Sequence, residues 1–329
     1  MRSQFGPTLP LLILDAAGSF AITIPLVGVL VRYRAHYSPK AVQLESEDGV
    51  QLEARTGPVI DGYFSTLKRV YKFEGWAGFY KGAVPELLTG GLLLVLLTIV
   101  PILLYGTDSP GTWPDKAKLE ALGCATLLIS LPITVLTYRI IVTPHKLSWL
   151  GLRQSLCTVL TPTERTRPWM LYQTPGLLVA QLLNAVVTPS LMVFQRFVLP
   201  DIPRSRGEID FRFILQFSVY VILIILETSI VVPLQIISTR LALQRNHASQ
   251  THSQDGTNGI ESVLPVYSAE EDVIGLRDEN DPYTSFFDCL KRMISEEGVA
   301  TLFRAWWITF IPVFAAGILD AGKKPNFHT

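Results

Sequence analysis

The chain has 329 residues, 49% hydrophobic and only 17% charged, with a mean hydropathy of +0.34. A soluble domain carries about 25% charged residues, so this balance points to lipid. A net charge of zero gives no support for nucleic-acid binding as the main task. Cys124, Cys157 and Cys289 show neither CxxC spacing nor a histidine partner, which leaves no disulfide framework and no metal site. The start Met-Arg-Ser-Gln-Phe-Gly-Pro runs into an apolar segment without an Arg/Ser-rich presequence, so no cleaved targeting peptide is expected.

Water is absent from a bilayer core, so a spanning backbone bonds to itself over about 20 residues of helix. Six segments qualify: Leu9–Val31, Ala83–Leu104, Leu122–Val142, Pro175–Val198, Phe213–Ile237 and the shorter Trp306–Leu319. The first, third and fifth joints are long (about 50, 30 and 65 residues) and the others short. The long-joint side holds 19 of the 28 lysines and arginines, which places it where positive charge is retained. In the first long joint Phe64, Leu67, Val70 and Tyr71 recur at helical spacing beside Lys68, Arg69 and Lys72. In the last, Phe287, Leu290, Met293 and Ile294 recur beside Lys291 and Arg292. Such helices lie in the membrane interface or pack beneath the bundle.

The last long joint carries an insertion, Asn246–Asp281, polar at first and then acidic through Glu270, Glu271, Asp272, Asp278, Glu279 and Asp281. Its composition predicts a disordered arm, either a linker or a docking segment for protein partners. Asp15 and Glu227 are carboxylates within predicted spans. A buried carboxyl there is either protonated against a neighbouring helix or part of a pathway.

An internal repeat runs through the chain. Pro25, Pro132 and Pro233 each precede an arginine by seven residues, Arg32, Arg139 and Arg240. Downstream, Glu74-Gly75-Trp-Ala-Gly-Phe-Tyr-Lys-Gly82 matches Glu297-Gly298-Val-Ala-Thr-Leu-Phe-Arg-Ala305, and a worn middle copy ends Leu171-Tyr172-Gln173-Thr174. This pattern closely resembles the mitochondrial carrier family over nearly the whole chain, Asp288-Cys289 included. The resemblance implies an all-α membrane protein with six transmembrane helices in three pseudo-symmetric repeats: 1–107, a degenerate 108–205, and 206–329 with a disordered acidic insertion at 246–281. Proline kinks would tilt the odd spans.

In that family the acidic residue two after the proline pairs with a basic residue of the next repeat to close a gate. Here those positions are Val27, Thr134 and Gln235, and the basic ones are Leu30, Thr137 and Ser238. Losing both partners is often neutral where losing one is costly, so the gate reads as relinquished. Of the second gate only Asp320 and Lys323 remain; Phe194-Gln195-Arg196 lacks its carboxylate. The even spans, where the family reads substrates, offer Gln181 and Asn184, with Glu227 on the fifth span; this argues against nucleotide, dicarboxylate or phosphate substrates. The three arginines either snorkel to the interface or bind lipid head groups or helix C-termini. No catalytic motif or cofactor fingerprint is present, so the chain reads as no enzyme and needs no cofactor.

Two functions follow. The main reading is a membrane adaptor or remodelling factor (mitochondrial fusion, lipid or protein handling), with membrane lipids and proteins as partners and the outer membrane favoured. The alternative is a transporter of a neutral or apolar metabolite across a mitochondrial membrane, using Gln181, Asn184 and Glu227.

Overall fold

The computed structural model describes residues 8–39, 58, 60–105, 113–147, 152–198, 211–245, 265–267, 272–279 and 281–321. Lys323 lies outside them, as do the side chains of Asp15, Cys124, Arg196 and Asp320. The fold is all-α. Its helices are α1 (Thr8–Ala35), α2 (Tyr63–Phe79), α3 (Ala83–Leu94), α4 (Val100–Tyr105), α5 (Trp113–Val142), α6 (Leu152–Val159), α7 (Pro162–Thr166), α8 (Leu177–Val198), α9 (Phe211–Leu243), α10 (Phe286–Arg292) and α11 (Trp306–Ala321). A π-turn, Val95–Ile99, joins α3 to α4. Among the described residues the only β-pairing is an isolated bridge, His145 to Val266.

Helices stand at all six expected span positions. Among the described residues, one helix is by itself long and apolar enough to cross a membrane, Ile214–Leu243 within α9. Ala83–Leu94, Leu128–Val142 and Leu177–Leu191 are apolar but shorter. The last segment is bent: Phe286–Glu297 and Val299–Ala315 meet at 116°. Two local causes shorten the apolar runs. The π-turn interrupts the α3–α4 segment, and α5 opens on Asp115, Lys116, Lys118 and Glu120.

Pro25, Pro132 and Pro233 lie inside α1, α5 and α9, which continue past them. Each removes the N–H that would bond the carbonyl four residues earlier. Two of the freed carbonyls are taken by tyrosine hydroxyls: Tyr80 donates to Ala21 at 3.4 Å and Tyr172 to Leu128 at 2.8 Å. Both tyrosines belong to the repeat boxes, and the third box has Phe303 there, without a hydroxyl. The box aromatic thus satisfies the backbone that its own repeat's proline leaves open.

The chain divides into two compact units, 1–174 with 242–282, and 175–241 with 283–329. In the first, α1 packs on α2 and α5, and α3 packs on α5. In the second, Tyr220 and Ile224 of α9 are buried against Phe310, Val313 and Phe314 of α11.

The loop helices share one register. Tyr63, Thr66, Val70 and Glu74 are buried on α2; Phe286, Cys289, Met293 and Glu297 take the same places from α10 onward. The apolar positions read from sequence divide: Val70 turns inward, while Phe64 and Tyr71 turn outward. Tyr63 donates to the Leu26 carbonyl at 3.1 Å and Glu74 meets Arg32, so the helix is rotated and leaves Phe64, Tyr71 and Trp76 outward. Phe287 is likewise exposed.

An unmet backbone carbonyl in apolar surroundings costs about 1–3 kcal/mol. Tyr172→Phe should therefore destabilise the protein by about that amount in detergent thermal unfolding. Tyr80→Phe, which loses a 3.4 Å bond, should cost less.

Candidate functional site

α1, α5 and α9 each carry a repeat arginine in the last turn, and each arginine is buried against a glutamate. Arg32 Nη2 lies 2.5 Å from Glu74 Oε2 and also donates to the Gly78 carbonyl at 3.1 Å. Arg139 grips Glu164 with two bonds, Nη1 to Oε2 at 2.7 Å and Nη2 to Oε1 at 3.1 Å. Arg240 grips Glu297 likewise, Nη1 to Oε1 and Nη2 to Oε2 at 2.9 Å. All six side chains are buried.

The expectation of arginines snorkelling to the interface is thereby corrected. A guanidinium carries its donors in a planar fork that fits a carboxylate, and a buried fork paired this way needs no water. Arg139 also takes C-terminal carbonyls of α9, Ala242 at 3.2 Å, and Gln244 just beyond at 2.6 Å. It thus supplies a cation to the negative end of a helix.

Glu164 was not legible as a partner because its box lost the glycine. After Glu74 and Glu297 the chain turns on Gly75 (φ 65°) and Gly298 (φ 100°), in a region that side-chain-bearing residues avoid. After Glu164 stands Arg165, and another device sets the geometry. Thr161 caps α7 in a reciprocal box: its hydroxyl accepts from the Glu164 N–H, and the Glu164 carboxylate accepts from the Thr161 N–H. The Thr-x-x-Glu pattern was the available signal. Gly82 (φ 82°) caps α3 after the first box.

Two of the glutamates serve two cations. Lys81 Nζ lies 2.6 Å from Glu74 Oε1, and Arg304 Nη2 lies 3.2 Å from Glu297 Oε2. Neither cation was singled out from sequence. Burial lowers the Lys81 ammonium to about 8, with Glu74 opposing the shift, because one carboxylate is shared by two desolvated cations. At the start of α10 the Thr284 amide, 3.0 Å from Oδ2, holds Asp288 below the carboxylate range, helped by Arg292.

In the second unit α9 carries a polar stripe. Glu227, Gln235 and Ser238 fall on one face, with Val231 between. Gln195 of α8 donates to Glu227, and Gln181 of α8 donates to the Ser238 hydroxyl at 2.9 Å. Thr309 of α11 donates to Gln235 Oε1 at 3.4 Å. Asn184 is half-buried on α8, three residues from Gln181. The sequence candidates Gln181, Gln235 and Glu227 are therefore real contacts between helices, and Gln195, Ser238 and Thr309 complete the set. Among the described residues no group of His, Cys, Asp and Glu is arranged to hold a metal ion.

The family model for the mitochondrial carrier protein matches residues 213–323, from α9 through α11, about a third of the chain. No curated protein matches the sequence. The matched segment holds one copy of the pattern, Pro233, Arg240, Glu297 and Gly298, with its buried pair. The match supports a carrier-type membrane protein, a transporter class and not an enzyme class, and lends nothing to a fusion or adaptor branch.

Breaking a buried pair from one side strands a charge and costs about 3–5 kcal/mol. Glu164→Ala should lower stability by that amount in detergent thermal unfolding, and Arg139→Met with Glu164→Leu should recover most of the loss. Lys81 gives a second test. Between about 8 and 10.5 the unfolded chain holds more protons than the folded one, so this group's contribution to stability rises with pH across that window. The melting-temperature difference between wild type and Lys81→Met should shift in favour of wild type from pH 8 to 10.5. A constant difference would show that Glu74 keeps Lys81 charged throughout.

Proposed function

We propose that the chain is a carrier-type transporter of a mitochondrial membrane, with six spans in three repeats, that moves a neutral, hydrogen-bonding metabolite. The observation that carries this reading is the α9 stripe. Gln181, Gln195, Gln235, Ser238 and Thr309 supply amides and hydroxyls, and Glu227 is bonded by an amide instead of a cation. Such groups match a substrate that offers donors and acceptors without net charge. A dicarboxylate or phosphate would require cations on the stripe, and the cations nearby, Arg240 and Arg304, are held by Glu297. The partial carrier match supports transport and a mitochondrial membrane, and it offers no reason to prefer the outer one. The adaptor reading rested on the lost gate charges, the uncharged even spans and the acidic arm, and no contact among the described residues adds to it.

Reconstitution in liposomes tests the proposal with a neutral panel (alanine, glutamine, glycerol) beside malate, phosphate and ATP. At least one neutral solute should enter well above protein-free vesicles, and the anions should not. Gln235→Leu should cut that uptake at least tenfold while leaving the melting temperature within a few degrees. Uptake of anions alone, or of nothing, would sink the reading.

A further inference from the structure

The acidic insertion is not wholly a free arm, because residues 272–279 have definite places on the first unit. Three kinds of contact hold them there. Ile274 is buried, 5% exposed. Arg69 of α2 donates to the carbonyls of Asp272 and Val273 at 3.0 and 3.3 Å. Gly275 is held through both of its backbone groups just past the end of α1. The Tyr37 N–H donates to its carbonyl at 2.9 Å, and its own N–H donates to His36 Nδ1 at 3.1 Å.

One of these contacts depends on a proton. A neutral imidazole has one donor nitrogen and one acceptor, whereas an imidazolium has two donors. A Nδ1 that accepts from Gly275 is therefore bare, and the ring carries its proton on Nε2. A second proton would set two donors against each other across 3.1 Å. His36 is 1% exposed, so a charged ring would also be kept from water in that place.

The charged and titratable groups on the surrounding elements are already engaged. On its own helix stand Arg32, paired with Glu74 of α2, and Arg34, which is buried. On α2, Arg69 serves the segment's carbonyls. On α5, Tyr138 precedes Arg139, which grips Glu164. On the segment, Arg277 lies over the Tyr37 ring at 5.5 Å and pairs with Asp281, and Glu279 lies 3.6 Å from Arg245. Asp272 and Asp278 are exposed.

We propose that His36 makes the seating of residues 272–279 on α1 and α2 sensitive to mild acid: the segment is seated while Nδ1 is bare and released when Nδ1 takes a proton. An imidazole in water takes its second proton at about 6.5. Below that value the released state binds more protons than the seated one, so seating is stable above it and is lost as pH falls. One proton is involved, and the seating equilibrium weakens about tenfold between about pH 7.5 and about pH 5.5. The Arg32–Glu74 pair is not part of this step, and the device does not rest on the transporter reading.

Hydrogen exchange followed by NMR on the full chain in detergent reads the Gly275 amide directly. Its protection, corrected for the intrinsic pH dependence of exchange, should fall about tenfold from about pH 7.5 to about pH 5.5. The Thr143 amide, bonded to the Arg139 carbonyl at 3.0 Å, should stay level as the internal reference. His36→Asn keeps a side-chain oxygen near the place of Nδ1 and does not titrate, so Gly275 protection in that variant should stay level too. Nitrogen NMR of the His36 ring in the unaltered chain decides the matter even where the variant fails to fold. Nδ1 should be bare at the higher pH, and its protonation should track the loss of Gly275 protection. Level protection in the unaltered chain would overturn the proposal. So would an equal fall in His36→Asn, or a proton on Nδ1 while Gly275 is still protected.

Discussion

A guanidinium at the end of an odd helix, buried against a glutamate from the loop region that follows, is the constraint on which the rest depends. The pairs Arg32–Glu74, Arg139–Glu164 and Arg240–Glu297 fix where each long helix stops and which face its loop region turns inward. Once Glu74 faces Arg32, helical geometry carries Val70, Thr66 and Tyr63 to the same side; once Glu297 faces Arg240, Met293, Cys289 and Phe286 follow. The exposed aromatics Phe64, Tyr71, Trp76 and Phe287 are what remains on the other side. A buried ion pair is weak evidence for stability, since desolvation offsets much of the attraction. What it supplies is register, because every misplacement strands a charge.

The same logic explains what was legible in the sequence. Prolines at constant spacing before arginines, and two intact Glu-Gly boxes, were enough to place the long helices and to mark Arg32, Arg139, Arg240, Glu74 and Glu297. What the arginines do was not legible, because snorkelling and pairing use the same residues at the same helix ends. Glu164 escaped because a threonine cap replaces the glycine turn that identifies the other boxes. Which apolar residues of α2 turn inward was not legible, because near lipid an outward aromatic such as Phe64 or Tyr71 is as stable as an inward one. The insertion looked disordered because its composition is polar. Its fixed residues are held mainly through backbone groups, which composition does not report.

Proline and the box aromatic form a second, coupled device. The proline leaves a carbonyl without its helical donor at a place where water is scarce, and the tyrosine that follows the box returns a hydroxyl to it. In the third repeat Phe303 makes no such return, although Pro233 is kept and α9 is, among the described residues, the helix long and apolar enough by itself to cross a membrane. There, Thr228 and Ser229 donate to the carbonyls of Ile224 and Ile225, a turn before the Ser229 carbonyl that Pro233 frees. Two of the repeats thus meet one backbone deficit in the same way, and the third box has no hydroxyl to return.

Charge is also distributed with a bias. Glu74 stands between Arg32 and Lys81, and Glu297 between Arg240 and Arg304, so each cluster holds one more cation than anion. Glu164 instead meets Arg139 together with the end of α9, whose carbonyl dipoles take the place of a second anion. In the first cluster the surplus falls on Lys81, whose remaining contacts are the Thr143 carbonyl and the face of Tyr267. A ring face and a carbonyl are the attractions open to a cation whose carboxylate is already shared. The same lysine thus ties the carboxylate cluster to the returning acidic segment. Any motion that lifts Tyr267 removes one of the contacts offsetting the desolvation of Lys81, and so shifts the balance toward its neutral form.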